Sequence, residues 1–205
     1  MFKLTLKKGW NLKKGAMFGL DARITLVVIA SLSIITSAVM MSTVKSTVAA
    51  QYLNDIKNVA LAYQTFKADT GYDVDNYKSD GTSPYYKIYQ LVTLSANHNK
   101  PYTLKYKGPY LDYARGINYS MIINPTEKYA VMLASRSFKN NWSSFTEKCN
   151  ATDCFVWVQA RSIEEDIANK IDELVDGEVS PTTGLVRTEN GGTNTLNLFY
   201  AIERE

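Results

Sequence analysis

The chain has 205 residues, with 23 basic side chains against 20 acidic ones, one histidine and two cysteines. Beyond the lysines of the first 14 residues there is no basic run to track phosphates, so nucleic acid is not an indicated partner. The single histidine, His98 in the polar ANHNKP stretch, supplies neither a His-based triad nor a set of metal ligands, and the sequence predicts a non-enzymatic protein with no cofactor and no metal site.

In chain order, Lys3, Lys7, Lys8, Lys13 and Lys14 come first, with no Asp or Glu among them. Ile24 to Val44 is then a run of 21 residues without a charge. At the standard rise of ~1.5 Å per residue it makes about 31 Å of helix, close to the hydrocarbon thickness of a bilayer. The lysines hold the N-terminus in the cytoplasm, so the residues after Lys45 are exported. Asp21 and Arg23 stand at the start of the run. A charge at the centre of a membrane helix costs roughly 2.5–3.5 kcal/mol on insertion scales, so Asp21 calls for a partner or a function.

The frame MFKLTLKKGWNLKKGA followed by MFGLD resembles the N-terminus of the type IV pilin and type II secretion pseudopilin superfamily. In that family a basic leader is cut by a prepilin peptidase, and an acidic residue stands at the fifth mature position ahead of an apolar helix. The resemblance implies cleavage between Ala16 and Met17, N-methylation of Met17, and subunit assembly through Asp21, which would neutralise the new amine of Met17 on a neighbouring subunit. Ala16 and Asp21 stand where the family usually has Gly and Glu, and the run lacks the helix-breaking Pro of many pilins. Removing the five leader lysines leaves 18 basic against 20 acidic side chains, or −2 before the new amine is counted.

The implied function is a structural subunit of a type IV pilus-like filament. Its partners are identical or homologous pilin subunits, the prepilin peptidase, the inner-membrane assembly machinery and, before assembly, the lipid bilayer. The implied location is the bacterial inner membrane in a single pass, then a periplasmic or cell-surface filament. A type II secretion pseudopilin and a single-pass membrane-anchored exported binding module are the alternatives.

Beyond Val44 the apolar residues Val48, Tyr52, Leu53, Ile56, Val59, Ala60, Tyr63 and Phe66 recur at three- and four-residue steps, predicting an amphipathic continuation of the helix that stops at Gly71. The organisation read from the sequence is therefore a leader (1–16), a transmembrane and assembly half-helix (17–44), an amphipathic half (45–70) and an exported head (72–205). YYKIYQLVTLSA reads as a short helix. Tyr102–Tyr106, Ile117–Ile123, Tyr129–Ser135, Phe155–Ala160 and Leu196–Ile202 read as strands. Ser162-Ile-Glu-Glu165 reads as a capping box that opens a helix with Ile163, Ile167, Ile171, Leu174 and Val175 inward and ends at Gly177. The fold class is α+β, a long N-terminal helix packed on an antiparallel sheet, which the resemblance makes pilin-like. KGPYL at Lys107–Leu111 and the segment Ile171–Arg187 carry the resemblance more weakly, and turn chemistry accounts for both.

Cys149 and Cys154 lie on the exported side, and a disulfide between them would add only about 2 kcal/mol by chain entropy. Asn118, Asn141 and Asn150 open glycosylation acceptor triplets. Asp73, Asp75 and Asp80 miss the EF-hand spacing. Asp172, Asp176 and Glu178 read as a solvated helix end rather than a calcium site. Eight tyrosines between Tyr85 and Tyr119 read as packing residues.

Overall fold

The computed structural model describes residues 15–77, 81, 83–93, 101–116, 121–124, 129–137, 149 and 153–204. His98, Asp80 and the acceptor residues Asn118, Asn141 and Asn150 lie outside them, as do the five N-terminal lysines. The chain divides into two compact units, Met1–Val44 and Lys45–Glu205.

Helix α1 spans Gly15–Thr70. It ends where the sequence predicts: Gly71 takes φ 76°, a left-handed conformation that costs a residue without Cβ little, and its amide donates to the Lys67 carbonyl at 2.8 Å. Strands β1 (Ala114–Arg115), β2 (Ile122–Ile123), β3 (Ala130–Ser137), β4 (Cys154–Glu164), β5 (Val186–Gly192) and β6 (Thr195–Arg204) form a sheet in the order β1-β2-β3-β4-β6-β5. Each neighbouring pair is antiparallel. Helix α2 (Glu165–Asp176) crosses between β4 and β5. The fold is thus α+β with a long N-terminal helix and a six-stranded antiparallel sheet among the described residues.

Within the second unit, the stripe predicted on α1 is buried: Ile56, Val59, Tyr63 and Phe66 are fully covered. They share one core with Val131 and Leu133 of β3, Val156, Val158 and Ala160 of β4, Leu198 of β6, and Ile167 and Ile171 of α2. Each such side chain stabilises the fold by about 1.5–3 kcal/mol of transfer free energy. The opposite face of the sheet carries a second cluster, Trp157, Phe199 and Ala201, because alternate residues of β4 and β6 point away from α1. The guanidinium of Arg187 lies over the Trp157 ring at 5.2 Å.

Several expectations are corrected. Residues 102–106 are not a strand: Pro101–Lys105 is a 3₁₀ helix, and Pro at its first position fits helical φ while lacking the amide a strand would pair. The helix expected over YYKIYQLVTLSA shrinks among the described residues to a 3₁₀ turn, Ile88–Leu91. Just before it, residues 84–86 lie along β3, with Ser135 donating to Pro84 and Tyr86 to Leu133. The Ser162 capping box does not form. Strand β4 continues to Glu164, a bulge between Ala160 and Ile163 lets Ile163 pair with Leu196, and Ser162 is carried to φ 57°. Burying Ile163 in the sheet outweighs the cap, and α2 begins at Glu165 with two acids in its first turn, favourable to the helix dipole. Leu174 is 49 % exposed rather than inward. Of Ile117–Ile123, only Ile122–Ile123 is a described strand. The other three strands form and run longer than predicted, and α2 ends at Gly177 as expected, with φ 82°.

Candidate membrane and assembly segment

Helix α1 alone, among the described residues, is long and apolar enough to cross a membrane. Its charge-free stretch presents apolar side chains all round: Val28 is 49 % exposed and Ile34 72 %, with Leu26, Ile29, Leu32, Ile35, Val39 and Met40 between them. No charged face exists here, and hydroxyls are the only polar side chains the stretch supplies.

The hydroxyls in this stretch turn inward on their own helix. Ser31 donates to Val28 O at 2.9 Å, Ser33 to Ile29 O at 2.8 Å, Thr36 to Leu32 O at 2.6 Å, Ser37 to Ser33 O at 2.7 Å and Thr43 to Val39 O at 3.0 Å. Back-bonding of this kind satisfies the hydroxyl without water and leaves the carbonyl ladder intact. The same side chains that could have melted the helix therefore make it suited to an apolar surrounding.

Asp21 is exposed, and its carbonyl accepts the Thr25 hydroxyl at 2.7 Å. Its carboxylate makes no ion pair among the described residues. The Ala16–Met17 peptide bond falls in the first turn of α1. Four residues, about one helical turn, separate Met17 from Asp21 in the chain.

In the head, a disulfide joins Cys149 to Cys154, the first residue of β4, at a Cα separation of 5.7 Å. The described tyrosines serve the packing: Tyr86 is buried, and Tyr106, Tyr110 and Tyr113 lie against the main core. Burial pushes the Tyr106 and Tyr113 phenols up to about 12, so both are neutral at physiological pH. Asp73 accepts the Tyr63 hydroxyl at 2.8 Å and pairs with Lys67 at 2.9 Å, while Asp75 is bound by the Gln90 amide at 3.0 Å. Both are occupied in holding the turn after α1.

At the end of α2 the solvated reading fails for Asp172, which is fully buried and whose carboxylate accepts the Ser180 amide at 2.7 Å, while Glu178 is exposed. Asp176 accepts the amides of Leu185 and Val186. Periodicity places Asp172 beside Ile171 but gives no sign that the following loop folds back over it. No group of three or more His, Cys, Asp or Glu is arranged to hold a metal among the described residues. No protein-family model matches the chain, and neither a curated protein nor a solved structure matches it.

Proposed function

We propose that this chain is a filament subunit of the type IV pilin class, held in the bacterial inner membrane by the apolar half of α1 and then drawn into a helical assembly. The observation that carries this reading is the combination of a charge-free helical run, Ile24–Val44, whose described side chains are exposed, with Asp21 just ahead of it and a leader frame ending at Ala16. An apolar surface of that length is stable only when covered. Lipid covers it before assembly and the corresponding helices of neighbouring subunits cover it afterwards. Because the hydroxyls along the run are satisfied within the helix, transfer from lipid to packed helices breaks no polar contact. Prepilin peptidase cuts between Ala16 and Met17, Met17 is N-methylated, and the Asp21 carboxylate of one subunit offsets the desolvated amine of the next.

The test is N-terminal sequencing and intact mass of the native protein, together with the behaviour of Asp21→Asn. The mature chain is expected to begin at Met17. Asp21→Asn is expected to insert and be processed normally, while filament yield falls at least tenfold. Asp21→Glu, which keeps the charge, restores assembly. An unprocessed native chain, or normal filaments built from Asp21→Asn alone, would overturn the reading.

A further inference from the structure

Two carboxyl groups meet at the C-terminal end of α2 with no donor between them. Asp172 is fully buried. Its Oδ2 accepts the Ser180 amide at 2.7 Å, and its Oδ1 has no hydrogen-bond donor among the described residues. Asp176 stands one turn further on along the same helix, and its carboxylate turns to the same loop. The Asp176 oxygens accept the amides of Leu185 at 3.1 Å and Val186 at 2.8 Å. One helix end therefore grips both ends of the 177–185 loop, through Ser180 near its start and Leu185 at its close. Contact is so close that a Cβ at Gly184 would run into the Asp176 carboxylate.

The charges that face this pair are few. Asp176 and Glu178 bring negative charge toward Asp172. Arg187 of β5 acts on Asp176, and its Nε donates to the Gly184 carbonyl at 3.3 Å. Asp176 accepts two amides, whereas Asp172 has one amide and a carboxylate for a neighbour. Like-charged carboxylates in contact cannot both ionise cheaply. A proton on Asp172 Oδ1 converts their repulsion into a hydrogen bond donated to Asp176.

We propose that Asp172 and Asp176 share one proton in the folded head, and that this proton latches the 177–185 loop to α2. With the proton in place, every carboxyl oxygen of the pair has a partner and the loop is held at both ends. Without it, the two anions separate and the grip on Ser180, Leu185 and Val186 weakens. Main-chain bonds from Thr188 to Pro181 and from Ala201 to Leu185 persist in either state, so the loop loosens rather than detaches. The proposal rests on the head alone and stands independently of the filament reading. Burial first, then Asp176 and Glu178, raise the Asp172 carboxyl to about 6 against the pull of the Ser180 amide. The transition therefore falls between mildly acid and neutral conditions. The sign follows from linkage: between the ordinary carboxyl value and about 6 the folded state holds the extra proton, so this pair's contribution to stability declines as pH rises through that window.

Asp172→Asn mimics the protonated state, its amide donating to Asp176 while its oxygen accepts from Ser180. The full chain in detergent micelles is compared with this variant at about pH 5 and about pH 7.5 by thermal melting and by hydrogen exchange corrected for intrinsic rates. The variant is expected to melt several degrees higher than the parent at the higher pH, and the gap is expected to narrow at the lower, where part of the window between the ordinary carboxyl value and about 6 is still uncrossed. Exchange at Ser180, Leu185 and Val186 should be several-fold slower in the variant at the higher pH only. A variant less stable at both pH values, or a difference that does not change with pH, overturns the proposal. Carbon-13 titration of the parent's Asp172 carboxyl gives a second reading: a midpoint near 6 supports the shared proton, and one in the ordinary carboxylate range refutes it.

Discussion

Asn124, only 2 % exposed, ties the distant helix α1 to the residues on either side of it in the chain. Its side-chain amide donates to Asp55 of α1 at 2.9 Å and to the Tyr113 hydroxyl at 3.1 Å, and reaches the Tyr129 hydroxyl at 3.4 Å. Its main-chain amide donates to the Tyr129 carbonyl at 3.0 Å. Removing a donor from a carboxylate leaves charge without compensation, which costs more than a neutral hydrogen bond. Asn124→Ala should therefore lower the stability of the head by about 2–3 kcal/mol in chemical denaturation; a loss within about 0.5 kcal/mol, typical of an ordinary surface position, would show that the hub contributes nothing. Asn124→Asp places a second carboxylate against Asp55. Its folded pKa would rise, so its destabilisation should deepen from acid to neutral pH, and parallel denaturation curves at the two pH values would show it.

At the scale of single elements, α2 offers a contrast between neighbouring turns. Ile171 is fully buried while Leu174 is 49 % exposed, although both were predicted inward from the same periodicity. The helix begins two residues later than the capping box implied, and its inner face is narrow: Ile167, Ala168 and Ile171, with Asp172. Ile171→Ala should cost roughly 2–5 kcal/mol, in the range of large-to-small changes in a core. Leu174→Ala should cost less than about 1 kcal/mol, since much of that side chain already meets water. Equal losses from the two substitutions, measured by urea denaturation, would show that α2 is rotated from the orientation described. The late start has its cause in β4, where the bulge after Ala160 keeps Ile163 in register with Leu196.

At the scale of the molecule, the exposed apolar run and the core of the head belong to different units, Met1–Val44 and Lys45–Glu205. The second unit keeps the buried stripe of α1 from Ala49 to Phe66, the whole sheet and α2. Its hydrophobic core is therefore complete without residues 1–44. A fragment beginning at Lys45 should be soluble and monomeric without detergent and should unfold in one cooperative transition, whereas the full chain should require detergent or lipid. Size-exclusion chromatography with circular dichroism tests this; a fragment that aggregates or lacks a cooperative melt would refute the independence of the head. Lys45, at the start of that unit, is held to Asp166 of α2, which pins the first turn of the fragment.

The apolar run, the amphipathic stripe and the stop at Gly71 were legible in the sequence because each depends on local chemistry: uninterrupted hydrophobicity, a helical period, and a residue that tolerates positive φ. The longer strands were legible for the same reason, being dense in β-branched and aromatic residues. The proposed leader frame around Ala16, Met17 and Asp21 rests on the linear chain alone. Tertiary structure decided what depends on partners far away in sequence. It determined that Ser162 would enter a bulge instead of a cap, since Leu196 supplies the pairing. It brought Asp55 of α1 to Asn124, and it folded the 177–185 loop back over Asp172. A carboxylate's spacing along a helix says which way it points, but whether it meets water or another carboxylate is set by the chain that packs above it.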